Sequence, residues 1–210
     1  MIRALMLLLV PLPTWERIAK SQWNCLVIFF VSFLPLLALT IAIEGGGMYS
    51  LGARFNDYGR LIKITQQQAI QFQAVQAGLS LIILIAGTKL ILWVCEGFHS
   101  PTTFRQAFTL AAYGITPLLL IRVIDGHPAI PTWVCFAIGS VGTVFVLYHG
   151  IALVLQPDTS VGFGLYLICS LVLVLLAGLS HFIAQIFAQR KLNFADLGPE
   201  GFLAVAGRLF

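Results

Sequence analysis

Long apolar runs constrain this chain more than any other feature of its sequence. There are five of them, at residues 24–43, 77–95, 106–124, 132–155 and 161–187. A helix needs about 20 apolar residues to cross a hydrocarbon core about 30 Å thick. Inside that core only helices and closed barrels satisfy the backbone polar groups. The sequence therefore predicts an all-α fold, an integral membrane bundle of five transmembrane helices, with all 210 residues in a single membrane domain.

The composition agrees with this fold class and argues against a nucleic-acid partner. The chain is 59% hydrophobic and 10% charged, whereas soluble domains are about 45–50% apolar and about 25% charged. Its formal net charge of +4 is spread over several loops and forms no basic patch. Contact with anionic lipid headgroups accounts for these scattered charges, so membrane lipids are expected partners and nucleic acid is not.

The two ends of the chain differ from the five spans. Residues 1–23 begin with "MIRALMLLLVPLP", a basic residue and a short apolar run as in a signal peptide, but no small-x-small cleavage site follows. An interfacial amphipathic segment is the favoured interpretation. Residues 188–210 are predicted to be a polar tail, whose last part is either a short interfacial helix or disordered.

The segment between the first two spans carries opposite signals at its two ends. It opens with "EGGG", residues 44–47, which predicts a flexible turn. Further on, Thr65 is followed by Gln68 at the spacing of a capping box. The second helix is therefore predicted to start near Gln66 and to run unbroken to Cys95, a length of roughly 45 Å at 1.5 Å per residue.

The third span is short and is interrupted near its middle by Tyr113, Gly114, Thr116 and Pro117. Pro117 has no N–H, so the carbonyl of Tyr113 loses its helical partner. Breaks of this kind are tolerated in a membrane where neighbouring helices, hydroxyls or water satisfy the freed groups. The sequence predicts one of two structures: a kink buried in the bundle centre that can hold polar groups, or a packing kink that binds no ligand.

Ionisable residues lie in or beside the second and third spans. Lys89 and Glu96 are seven residues apart on one helix face, so Lys89 either reaches the surface, pairs with Glu96 or lines a pathway. Arg105 belongs to the charged turn "CEGFHSPTTFRQ", where a structural clamp is the favoured role. Arg122 and Asp125, three residues apart, are predicted to pair across one helical turn.

Small residues recur in the fourth span at Gly139, Gly142 and Gly150. They predict close helix packing, either within the chain or with a partner. His149 lies beside them in "LYHGIAL", with no Cys or carboxylate at ligand spacing, and is interpreted as satisfying a neighbour's hydrogen bond.

No motif in the sequence indicates a catalysed reaction. It has no P-loop, HExxH or G-x-G-x-x-G pattern, so no catalytic residue, cofactor or metal is expected and the chain is predicted not to be an enzyme. The four cysteines lie in or at the ends of the spans and form no CxxC pair, which indicates packing residues.

Three passages together resemble the Yip (Ypt-interacting protein) family of five-pass membrane proteins. "TFRQAFTLAAYGITPLLL", residues 103–120, is similar to the family's entry into its third span, and "LYHGIALVLQPDTSVGFGLY", residues 147–166, to its join between the fourth and fifth spans. "PLPTWERI", residues 11–18, resembles the segment before the first span in bacterial members. The resemblance implies that the chain is a single Yip-like domain, with the five spans at residues 24–187.

Orientation and partners follow differently from the charges and from the resemblance. The positive-inside rule favours an outside N-terminus, whereas the resemblance implies a cytoplasmic one. Eukaryotic members of the family bind prenylated small GTPases and act in vesicle traffic and membrane shaping. This chain shows neither their long N-terminal region nor an Asp-Leu-Tyr-Gly-Pro motif, so GTPase binding is not carried over, and its N-terminus resembles the bacterial branch.

Two functional hypotheses result. The first is a non-enzymatic scaffold, assembly factor or accessory subunit in a bacterial inner (cytoplasmic) membrane. It would act through helix packing with lipids, with another membrane protein or with further copies of itself. The alternative is a small transporter or channel for a lipid or an ion, with a path past Lys89 and the kinked third span.

Overall fold

The computed structural model describes residues 2–21, 23–51, 65–125, 127, 130–158 and 160–189. Within this part of the chain five helices are long and apolar enough to cross a membrane, which confirms the predicted bundle. The spans are Cys25–Leu51, Gln66–Gly97, Phe104–Asp125, Thr132–Val154 and Gly162–Ala184. The tail from residue 190 onward, including the predicted interfacial helix, lies outside the described residues.

Two short helices precede the first span and form an antiparallel hairpin. Helix α1 covers Ile2–Leu9 and α2 covers Pro11–Ser21. A guanidinium N–H of Arg3, at the start of α1, donates to the hydroxyl of Ser21, at the end of α2, over 3.1 Å. The two outer ends of the hairpin therefore lie together, and its turn at Val10 points the other way.

The hairpin packs into the bundle and reaches deeper than a helix lying on the membrane surface would. Leu7 and Trp15 have no exposed surface. The indole N–H of Trp15 donates to the carbonyl of Val146 over 2.8 Å. Leu8 lies near Gly142, in the middle of the fourth span. The sequence predicts an interfacial segment because its apolar run is short, whereas the insertion depends on these contacts with distant residues.

The first span contains one irregular turn. It consists of α3 (Cys25–Ile28), a π-helical turn (Phe29–Phe33) and α4 (Leu34–Leu51). Asn24 caps its start, with its side-chain oxygen accepting the N–H of Cys25 at 3.1 Å. A π turn rotates the residues beyond it relative to an ideal helix and often lies at a functional site.

The prediction of a flexible turn at "EGGG" is wrong, because α4 continues through residues 44–47 and ends at Leu51. Glycine inside a helix costs about 1 kcal/mol relative to alanine, so other contacts must hold this turn. A Cβ added at Gly45 would lie 3.1 Å from Cγ of Gln73 in the second span. The buried side chain of Glu44 contributes a second tertiary contact, described below.

The second span is the single helix α5, Gln66–Gly97. Its capping box is formed as predicted: the Gln68 N–H donates to the Thr65 hydroxyl over 3.3 Å, and the Thr65 N–H to the Gln68 side chain over 3.0 Å. The predicted start at Gln66 is confirmed, and the helix extends slightly past the predicted end at Cys95.

The third span occupies the centre of the bundle. It is divided at Ile115 into α6 (Phe104–Gly114) and α7 (Thr116–Asp125). Of its apolar window 72% is buried, against 22–39% for the other four spans. The break predicted from proline and glycine therefore lies in the most enclosed helix.

The fourth and fifth spans pack beside the third as α8 (Thr132–Val154) and α9 (Gly162–Gln189). We call the side on which α5 and α8 end and α6 and α9 begin the N-terminal side, because α3 also begins there. The opposite side is the far side. The four cysteines carry free thiols, of which Cys95, Cys135 and Cys169 are buried.

Replacing Gly150 by alanine tests the contact between the hairpin and the fourth span. Its Cβ would lie 2.6 Å from Cζ2 of Trp15, a ring that its bond to Val146 holds in place. Overpacking of this kind costs about 1–3 kcal/mol, so we expect a lower unfolding temperature in mild detergent. Gly78→Ala is the control, since nothing lies within 4 Å of a Cβ there. Equal unfolding temperatures of the two variants would contradict the packing.

Candidate functional site

The break in the third span is buried and hydrogen-bonded. The Tyr113 hydroxyl lies 3.0 Å from the hydroxyl of Ser32, which belongs to the π turn of the first span. Tyr113 and Thr116 are each 1% exposed. The Tyr113 ring also meets Trp15 edge-on, with centroids 5.9 Å apart. The π turn, the hairpin and the third span thus meet at one tyrosine.

The candidate glycines are used inside the chain. A Cβ at Gly142 would lie 2.9 Å from Cβ of Pro117. One at Gly139 would lie 2.8 Å from Cγ2 of Ile121, and one at Gly114 would lie 2.8 Å from Cδ2 of Leu147. The glycines of the third and fourth spans therefore bring these two spans into close contact. Of the two uses that the sequence left open, packing within the chain is the observed one.

Lys89 and Glu96 lie on the outer surface of the second span, where both are exposed. The ammonium of Lys89 lies 5.7 Å from the ring centroid of Phe104, a cation–π contact between neighbouring spans. Of the roles considered for Lys89, the structure therefore shows the surface position. Lys89 lines neither of the two cavities described below.

His149 is half-buried on the fourth span near the N-terminal side. Its Nδ1 lies 3.5 Å from the carbonyl of Phe145, one turn earlier. Its ring meets Phe145 and Tyr148 edge-on, with centroids 5.6 and 5.2 Å away. The histidine is thus part of an aromatic group and contacts its own helix.

A buried ion pair joins the first and third spans near the far side. Nη2 and Nε of Arg122 lie 2.7 and 3.1 Å from one carboxylate oxygen of Glu44. The two side chains are 13% and 3% exposed. The predicted pairing of Arg122 with Asp125 is wrong, because the guanidinium binds the carboxylate of Glu44 in α4. That carboxylate is almost fully buried and would otherwise be an unpaired charge.

Further polar groups surround this pair. Nη1 of Arg122 donates to the hydroxyl of Ser80 over 3.3 Å. One carboxylate oxygen of Asp125 is buried without a hydrogen-bond partner among the described residues. Arg122 and Asp125 line a cavity of about 50 Å³, together with Gln76 and His181. One water needs about 10–15 Å³, so the cavity has room for a few.

Sequence reasoning missed this far-side cluster for a specific reason. It placed Glu44 in a loop, and a loop carboxylate needs no buried partner. The missing signal is the "IAIEGGGMYSL" stretch, which continues the first helix when Glu44 faces the second and third spans. Ionisable groups in membrane helices usually face the bundle interior.

Arg105 lines a second, larger cavity at the N-terminal side. Its volume is about 250 Å³, and α2, α6 and the end of α8 form its walls. The side chain of Arg105 is partly buried. The two cavities thus lie at opposite ends of the third span.

These features define a five-span integral membrane protein with a helical hairpin inserted at one side and a buried ion pair near the other. The family model described as the Yip1 domain matches residues 5–181, from the hairpin through most of the fifth span. The chain belongs to the Yip1 family. This is a family of membrane proteins that are not known as enzymes. No curated protein and no solved structure matches the chain.

Breaking the Glu44–Arg122 pair should destabilise the bundle strongly. Arg122→Met leaves the carboxylate of Glu44 buried without its cation, which costs about 3–5 kcal/mol in comparable cases. We expect the double variant Glu44→Met, Arg122→Met to unfold at a higher denaturant concentration than Arg122→Met alone, because no unpaired charge is left. Lys89→Met, which removes an exposed cation, is the control. A double variant less stable than the single one would contradict the pairing.

Proposed function

We propose that the chain is a non-enzymatic scaffold or accessory subunit of a bacterial inner membrane, which holds a partner membrane protein against its outer surface. The observation that carries this proposal is the use of the glycines inside the chain. Gly139, Gly142 and Gly150 are covered by α7 and the hairpin, so a partner would not pack against these glycines. The exposed apolar side chains of the bundle are then the surface for association.

The outer face of the fourth and fifth spans is the best candidate for that contact. Phe145, Tyr148 and Phe163 are 50%, 57% and 67% exposed. The rings of Tyr148 and Tyr166 lie 5.3 Å apart across the two helices. Aromatic side chains are enriched at protein interfaces, and His149 adds a polar group that a purely lipid-facing surface does not need. A second copy of the chain is the other occupant of this aromatic face that the experiment distinguishes.

The resemblance of residues 11–18 to bacterial members supports the bacterial inner membrane. Membership of a membrane-protein family not known as enzymes supports the non-enzymatic role. The partner itself is a proposal that rests on the exposed aromatic face.

Photo-crosslinking from single positions tests the aromatic face. We expect a photoreactive residue at position 148 to crosslink one defined protein in the native membrane. The same residue at position 82, where Ile82 is 61% exposed on the second span against 57% for Tyr148, should crosslink lipid alone. Phe163→Ala should reduce the position-148 crosslink several-fold, since aromatic anchors often cost 2 kcal/mol or more when truncated. Equal protein crosslinking from both positions would refute the aromatic face, and a crosslink to the same chain would identify a homo-oligomer.

A transporter is the second candidate, and the positions of the two cavities favour it. The larger cavity reaches Tyr113, and the smaller reaches Ile115 and Leu118, on the other side of the break. Gly114, Thr116 and Pro117, which lie between Tyr113 and Leu118 in the chain, are buried. Such a path follows the third span and does not pass Lys89.

Ion flux through the purified chain in liposomes tests this candidate. If an ion moves along the third span, Asp125→Asn should slow it several-fold, because this variant removes the negative charge that lines the far cavity. Lys89→Met should leave the flux unchanged, since Lys89 is exposed on the outer surface. Flux equal to that of empty liposomes for potassium, sodium and protons would eliminate an ion channel.

A further inference from the structure

The cavity at the N-terminal side has the shape of a small binding site. Helix α2 contributes Ile18 and Ala19, and α6 contributes Arg105 and Thr109. Its volume of about 250 Å³ is just below the range of about 300–1,000 Å³ usual for ligand pockets. It therefore suits a headgroup better than a whole drug-sized molecule.

The charge of this cavity, which we call the headgroup cavity, favours an anion as its ligand. Arg105 lines it, and among the described residues that form its walls none is acidic. The guanidinium carbon of Arg3 lies 3.9 Å from the ring centroid of Trp23, another wall residue. A guanidinium binds phosphate oxygens through two parallel N–H donors. From this arrangement we propose that the headgroup cavity binds the phosphate of an anionic phospholipid.

The wall of α6 is held in place by hydrogen bonds that leave the cavity open. The side-chain amide of Gln106 donates to the carbonyl of Val154 at the end of the fourth span, over 2.9 Å. The Thr109 hydroxyl donates to the carbonyl of Arg105 over 2.7 Å. The Gln106 bond fixes α6 against α8 on one side of the cavity, and the Thr109 bond stays within α6, so the cavity exists before the lipid arrives.

The surroundings of the headgroup cavity favour a lipid over a soluble phosphate. It lies where α6 begins and α8 ends, at the membrane boundary of two spans. Ile18, Ile28 and Leu153 form apolar parts of its wall. A lipid satisfies both features, because its phosphate meets Arg105 while its glycerol and upper acyl carbons meet the apolar wall.

Lipid retention by the purified full chain tests the proposal. The probe is phosphatidylglycerol in phosphatidylcholine nanodiscs, and the lipid that stays bound after gentle extraction is counted by native mass spectrometry. Arg105→Gln should lower retention about ten-fold, the effect expected for losing a charge-assisted hydrogen bond. Ala19→Phe fills the cavity with no change of charge and should lower retention as well. Lys20→Gln is the matched control, because Lys20 is exposed on α2 and does not line the cavity.

The outcomes separate the lipid from other ligands. Unchanged phosphatidylglycerol retention in both cavity variants would overturn the proposal. So would equal retention of phosphatidylcholine, or displacement of the lipid by equimolar inorganic phosphate, which would identify a soluble anion site. The unfolding temperature of each variant is measured in parallel. If Arg105→Gln does not fold, Ala19→Phe decides the question alone.

Discussion

The close contact between the third and fourth spans is the interaction on which the rest of the structure depends. In lipid, helices gain no hydrophobic free energy by associating, so they rely on van der Waals packing at small residues. Gly142 admits Pro117, which makes room for the break in the third span. Gly150 leaves space for the ring of Trp15, which packs the hairpin against the fourth span. Glycines of the fourth span therefore make room both for the break in the third span and for the hairpin.

The far side is held by a different kind of interaction. Burial of the Glu44 carboxylate costs free energy, and Arg122 offsets that cost through two hydrogen bonds to it while donating a third to Ser80. This pair ties the first span to the third. Together with the close approach of Gln73 to Gly45, it helps to keep α4 helical through three consecutive glycines, where local propensity alone predicts a turn.

The sequence predicted whatever depends on neighbouring residues. Apolar length predicted the five spans, the spacing of Thr65 and Gln68 predicted the start of α5, and Pro117 predicted a break in the third span. It did not predict the partner of Arg122, because Glu44 is 78 residues away whereas Asp125 is three residues away. The depth of the hairpin was missed for the same reason, since the Trp15 bond to Val146 spans 131 residues.

The contrast between Lys89 and Arg105 shows why an ionisable residue in or beside a span cannot be assigned a role from its position in the chain alone. Both are cations on the N-terminal half of the bundle. Lys89 lies on the outer face, beside an aromatic ring, whereas Arg105 lines a cavity. A charge that reaches lipid headgroups from outside needs no partner of complementary shape. The described walls of the headgroup cavity combine apolar residues with uncharged polar ones and hold no acidic residue, so the charge of Arg105 there suits an anion.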